Sequence, residues 1–197
     1  MSWLEKLRKS ACKSHEDTRL LAVDMETTSL DPRRGSIVSI GWIPVENGVI
    51  MVGQAGYQLV YDAQARESVG DSATVHYITD AMRNTGVAEQ EAVARLLEVL
   101  GDSPMLVHFA AIEKRFLSAA MRKYWGRSFS SRIVDTFEIE RRHMERMATY
   151  PRGEDLRLAR VRQRYGLPAY TSHHAASDAL ACAELYLAQR YRSGSHG

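Results

Sequence analysis

Asn47-Gly48 constrains this chain more than any other pair of its residues. Both residue types tolerate positive φ, the condition for a two-residue hairpin turn whose twist matches the strands on either side. The runs Ser36 to Val45 and Val49 to Tyr61 that flank the pair are rich in apolar and β-branched residues and read as the two arms. Leu20-Leu21-Ala22-Val23-Asp24-Met25, a short apolar run that turns polar, reads as a central strand before them. Downstream the pattern alternates. Ala88 to Leu100 has a helical period in Val93, Leu96, Leu97 and Leu100 and is closed by Gly101. Met105-Leu106-Val107-His108 is strand-like, Ile112 to Trp125 helical, Arg132-Ile133-Val134-Asp135 strand-like again, and Phe137 to Met147 helical. A helical stripe of Leu158, Val161 and Tyr165 stops at Gly166 and Pro168, and a last helix spans about Ala175 to Tyr191. Three antiparallel strands followed by strand–helix alternation predict an α/β fold, with a mixed five-stranded sheet flanked by helices.

A chain of 197 residues suits one such domain, taken here as residues 19–192. Residues 1–18 mix charged and apolar types and are expected to form an amphipathic helical extension, and 193–197 a disordered tail. No apolar run approaches the roughly 20 residues that cross a bilayer, and the first residues lack the order of a signal peptide. Two cysteines, Cys12 and Cys182, form no metal or disulfide pattern, so a cytoplasmic location is expected. Between Arg141 and Tyr165 eight arginines face three acids, a local excess of five positive charges. This stretch reads either as a phosphate-binding surface or as a solvated face offset by acids elsewhere.

Asp24 and Glu26 are two residues apart, and on a strand both side chains point to one face. Two adjacent carboxylates repel, and burying them without a partner is costly. A divalent cation with a preference for hard oxygen ligands, Mg²⁺ or Mn²⁺, resolves the conflict. Alone, an Asp-x-Glu pair is more often a pair of surface acids. It gains force from His173-His174-Ala175-Ala176-Ser177-Asp178-Ala179, which opens the last helix and brings His173 and Asp178 towards one point. Taken singly, His173 reads as part of a capping region and Asp178 as a first-turn acid.

Asp24-Met25-Glu26-Thr27-Thr28, His108-Phe109-Ala110-Ala111-Ile112-Glu113 and His173-x-Ala175-x-x-Asp178 resemble, in this order, the three motifs of the DEDDh (DnaQ-like) 3′→5′ exonucleases. That family includes the proofreading subunit of bacterial replicative polymerase, RNase T and oligoribonuclease. His76-Tyr77-Ile78-Thr79, Ile133-Val134-Asp135-Thr136 and Tyr165-Gly166-Leu167-Pro168 resemble its accessory elements, so the likeness runs from about Leu20 to Tyr191. One motif departs from the family pattern. Phe109 stands where asparagine is usual and Glu113 where aspartate is usual. Glu113 keeps the charge with one more methylene. The alternative reading makes it a first-turn helix acid in an impaired, binding-only module.

The resemblance implies a ribonuclease H-like fold and phosphodiester hydrolysis from a free 3′ end with two divalent ions. Asp24, Glu26, Glu113 and Asp178 are implied as metal ligands and His173 as general base, releasing nucleoside 5′-monophosphates. Thr27, Thr28, Leu30, His76, Ile78 and His108 are the candidates for contact with substrate, although Ile78 and Leu30 read equally well as core residues. Single-stranded DNA is the favoured substrate and RNA ends or short oligoribonucleotides the alternative. A homodimer in which the arginine-rich stretch of one subunit feeds the other's site is compatible with this reading. No clamp-binding peptide marks a polymerase partner, and no membrane association is expected.

Overall fold

The computed structural model describes residues 19–61 and 77–194. The extension expected at 1–18, His76 and residues 195–197 lie outside the described residues. The strands are β1 (Leu20–Thr27), β2 (Ile37–Glu46), β3 (Val49–Ile50), β4 (Gly56–Tyr61), β5 (Val87–Ala88), β6 (Met105–Val107) and β7 (Ile133–Asp135). The helices are α1 (Asp80–Arg83), α2 (Glu89–Leu100), α3 (Ala111–Trp125), α4 (Thr136–Arg146), α5 (Leu158–Arg164) and α6 (Ala175–Gly194). No helix among the described residues is long and apolar enough to cross a membrane.

Asn47 and Gly48 have φ of +51° and +77°, and the hairpin pairs Val45 with Ile50 and Glu46 with Val49. The second arm, however, is not one strand. It is broken over Met51 to Ala55, with a 3₁₀ turn at Val52–Gln54, and resumes as β4 opposite Trp42. Pro44 accounts for the break. Its carbonyl accepts from Met51 N at 2.9 Å, but it has no N–H to return, so the ladder lapses beside it.

The sheet therefore has seven strands rather than the five expected, in the order β5-β4-β2-β1-β6-β7 with β3 also on β2. The two extra strands, β3 and β5, are two residues each, too short to carry a period of their own. β1 is antiparallel to β2 and parallel to β6, which is parallel to β7.

Alternation along β1 divides the molecule. Leu21, Val23 and Met25 pack with Ile40, Trp42, Met105 and Val107 under α2 and α3. Leu20 and Ala22 pack with Ile43, Val45 and Leu106 under Ala179, Cys182, Ala183 and Tyr186 of α6. Truncating a fully buried residue such as Leu96 to alanine is expected to cost about 2–5 kcal/mol. Asp24 and Glu26 continue the row of Leu20 and Ala22, so the strand's period delivers them to the face that α6 covers.

Candidate active site

The C-terminal half of β1 and the first turns of α6 make the site. Gly41 of β2 lies directly opposite Asp24. A Cβ at Gly41 would sit 2.2 Å from the Ala175 carbonyl carbon and 2.3 Å from Ala176 N. The missing side chain lets the start of α6 rest on the sheet backbone beside Asp24. A register shift between Glu26 and Thr27 ends the regular ladder where substrate would need access.

One turn into α6, Asp178 reaches back to β1. Oxygens of Asp24, Glu26 and Asp178 lie within 4.8 Å of one another. Asp178 is held twice: Tyr170 donates its hydroxyl to Oδ1 at 2.5 Å, and His174 donates its backbone N–H to Oδ2 at 3.1 Å. Tyr170 is itself fixed, with the Arg162 guanidinium 4.9 Å from its ring centroid. Arg162 is buried between Glu184, at 2.7 Å, and the Ala181 carbonyl, at 2.8 Å. The imidazole of His174 stacks on Tyr57 at 4.5 Å between centroids, which pins the loop ahead of α6.

Glu113, on α3, is 4% exposed, and its Oε2 is buried without a hydrogen-bond partner. Burial pushes its carboxyl up to about 8, with Asp135 and Glu26 adding repulsion. Glu26 is pushed up to about 7, by burial first and then by Asp178. Asp24 is raised well above the usual carboxylate range by burial, then by Asp178, Glu113 and Glu26. Among the described residues, no basic side chain forms an ion pair with any of these four acids. Mutually repelling carboxylates and an orphaned buried oxygen form a hard donor set that fits a divalent cation.

The remaining candidates divide. His173, in the loop before α6, is exposed and has a φ of +65°. Leu30 is 68% exposed. The Thr27 hydroxyl donates to the Ser29 carbonyl at 2.9 Å and Thr28 Oγ1 accepts from Ser36 N at 3.0 Å, so both shape the exit from β1.

Two further candidates are engaged within the fold. Ile78 is 3% exposed and clusters with Val38 and Leu59, which makes it a core residue and not a wedge against a base. His108 uses both ring nitrogens within the fold, Nε2 towards the Leu156 carbonyl and Nδ1 towards Thr136 Oγ1, each at 2.8 Å. Burial lowers its pKa, and the Leu156 carbonyl requires Nε2 to be the donor. These two contacts tie the end of β6 to α4 and to the segment before α5.

The arginine-rich stretch is mostly exposed, with Arg162 buried, and much of its charge is paired within the chain. Arg141, Arg142, Arg157, Arg162 and Arg164 form ion pairs. Their partners Glu138, Glu140 and Glu184 come from outside the stretch and offset its charge. Tyr170, Tyr57 and Gly41 lie outside the motifs that mark the site in the sequence. Gly41 alone carried a local signal, an isolated glycine inside a strand pattern.

The sequence model of the RNase T exonuclease family matches residues 21–186. The chain is 26% identical over 174 residues to the PolC-type DNA polymerase III of Thermotoga petrophila, covering 88% of this chain and 12% of that polymerase. It is 27% identical over 115 residues to the oligoribonuclease of Vibrio parahaemolyticus, covering 53% of this chain and 64% of that protein. The chain thus spans only a small part of the polymerase it matches. The crystal structure of E. coli Exonuclease I in complex with a dA16 oligonucleotide has a TM-score of 0.76 and 14% identity over 90% of this chain and 42% of that one. The likeness in structure is one of fold, ribonuclease H-like, with helices on both faces of a mixed sheet.

Proposed function

From the premise that the chain belongs to the RNase T exonuclease family, we propose that it removes nucleotides one at a time from the free 3′ end of a single strand. The observation that carries this reading is the cluster of Asp24, Glu26 and Asp178, with the buried Glu113 near enough to raise the Asp24 carboxyl and no basic partner for any of the four among the described residues. Asp24, Glu26 and Asp178 would hold one divalent ion, Mg²⁺ or Mn²⁺, and Glu113 with Asp24 a second. Bound there, such ions supply a polarised water and neutralise charge developing on the leaving 3′-oxygen.

The chain's own residues do the rest. Tyr170 and the His174 N–H orient Asp178. His173, whose ring is open to solvent, takes the proton of the attacking water and passes it on to bulk. The water oxygen bonds to phosphorus as the bond from phosphorus to the 3′-oxygen breaks. That oxygen takes up a proton, and a nucleoside 5′-monophosphate leaves. Thr27, Thr28 and the exposed Leu30, at the exit of β1, contact the terminal nucleotide.

Single-stranded DNA is the favoured substrate, in keeping with the likeness to a DNA polymerase III and to the fold of an exonuclease crystallised with an oligodeoxynucleotide. The likeness to an oligoribonuclease favours short RNA as the second reading. Digestion of 5′-labelled DNA and RNA strands with Mg²⁺ or Mn²⁺ tests both. The expected result is a ladder that shortens from the 3′ end, is blocked by a 3′-phosphate and is absent for Asp24→Ala. A folded protein that makes no ladder with either ion and either sugar would refute the proposal.

A further inference from the structure

Phe109 has no part in the chemistry above, yet its backbone is strained. It links β6 to the helix that bears Glu113, at a position where the resembling motif has asparagine. Its φ is +75°, a left-handed conformation that asparagine enters readily and a bulky side chain enters only with strain. Asp135 holds it there, with Oδ1 accepting from Phe109 N and Oδ2 from Ala110 N, each at 2.9 Å. The same Oδ1 accepts from Phe137 N at 2.9 Å, so one carboxylate braces both aromatic residues. The effect is to present a ring to solvent. Phe109 is 45% exposed, and its ring centroid lies 5.1 Å from that of Phe137 at 57°. A ring serving only the core would be buried, and a strained backbone that exposes one points to contact with a ligand.

Register places this pair at the edge where the carboxylates stand. β1 and β6 run parallel with Leu21 beside Met105 and Ala22 beside Leu106. β6 and β7 run parallel with Val107 beside Asp135. The chain leaves all three strands at one edge, with Asp24 and Glu26 at the end of β1, Phe109 just beyond β6 and Phe137 just beyond β7.

We propose that Phe109, backed by Phe137, is a stacking platform for an unpaired nucleobase of the substrate strand. The inference rests on the exonuclease reading and adds a base-binding subsite to it. An anionic cluster next door disfavours docking of an acidic peptide, whereas a base offers a neutral π-face of matching size. Stacking is tolerant of sequence, as degradation of any strand requires, and it needs a base free of its complement.

The test is a set of fluorescent single strands, each lacking one base at a successive position from the 3′ end. Binding is read by anisotropy with Ca²⁺ as the divalent ion, and cleavage separately with Mg²⁺ or Mn²⁺. For the wild-type protein, loss of the stacked base is expected to weaken binding about fivefold or more. Phe109→Asn, which suits the backbone, should bind the complete strand about fivefold more weakly, keep or raise Tm, and be indifferent to that missing base. Phe109→Tyr should restore both affinity and sensitivity. The proposal is overturned if Phe109→Asn binds every strand as the wild type does, if the missing-base penalty survives in it, or if the wild-type protein binds no strand. Intact coupling without cleavage would sink the exonuclease reading alone.

Discussion

Glu140 and Glu113 are both glutamates on helices that pack against the sheet, and both are withdrawn from water, at 1% and 4% exposure. Around Glu140 the protein supplies everything a buried anion needs. Arg164 donates to Oε1 at 3.3 Å, and Tyr165 donates to Oε2 at 2.8 Å. Arg192 comes within 3.7 Å, and Gln189 donates at 3.4 Å. Around Glu113 it supplies other acids, and one carboxylate oxygen has no partner. The fold is thus able to neutralise a buried carboxylate with its own side chains and does so one helix away. At the end of β1 it gathers like charges instead, so folding leaves a deficit that an ion from outside can meet.

The sharpest break of this contrast is loss of function without loss of stability. Asp24→Asn is expected to lower the cleavage rate about a thousandfold or more. Its metal-free Tm should stay level or rise, because one repelling charge is gone. Unfolding monitored by circular dichroism beside gel-based cleavage rates separates the two effects.

The two glutamates should then respond in opposite senses. Glu140→Gln leaves two arginines without their anion and should cost about 2 kcal/mol of stability while the folded fraction still cleaves. Glu113→Gln should not destabilise the metal-free protein and should slow cleavage about tenfold. Equal losses of stability for the two substitutions would remove the distinction.

A pH series tests the contrast without mutation. In the folded, metal-free protein Glu26 and Glu113 titrate near 7 and 8, against an ordinary value of 4.5. Between about pH 4.5 and 8 the native state holds protons that the unfolded chain has released, so stability falls as pH rises through that window. Tm of the metal-free protein should drop by about 10 °C or more from pH 5 to pH 8. Added Mg²⁺ or Mn²⁺ should reverse most of the drop at pH 8 and raise Tm little at pH 5, where protons compete with the ion. A flat profile would mean that neither burial nor mutual repulsion raises these carboxyls in the folded protein.

The smallest expected effect lies in the support of Asp178. Tyr170→Phe removes one hydrogen bond and should weaken metal binding about tenfold, read by calorimetry, with little change in Tm. An unchanged affinity would show that the His174 N–H is sufficient to aim the carboxylate.

Much of this is legible in the sequence. Asn47-Gly48 marked the hairpin, helical spacing marked α2 to α6 to within a few residues, and a period of two put Asp24 and Glu26 on one face. Each of these depends on residues within a turn or two of chain. The same locality explains the misses. Pro44 splits the second arm from across the hairpin, and β3 and β5 are too short to display a pattern. Ile78 and His108 looked available because nothing near them in sequence shows what covers them. Val38 covers the first, and Thr136 and Leu156 engage the second.

By itself, then, the sequence determined which side chains carry acid, base and aromatic character and which of them share a face, because strand and helix periods are set by local backbone geometry. Only the tertiary structure decided which buried charges would be paired. Arg164 and Arg192 come to Glu140 from 24 and 52 residues away, whereas Asp178 comes to Asp24 from 154 residues away and brings a like charge. Coulomb interaction depends on distance in space and on shielding from water. Both were settled when α6 came to rest against Gly41.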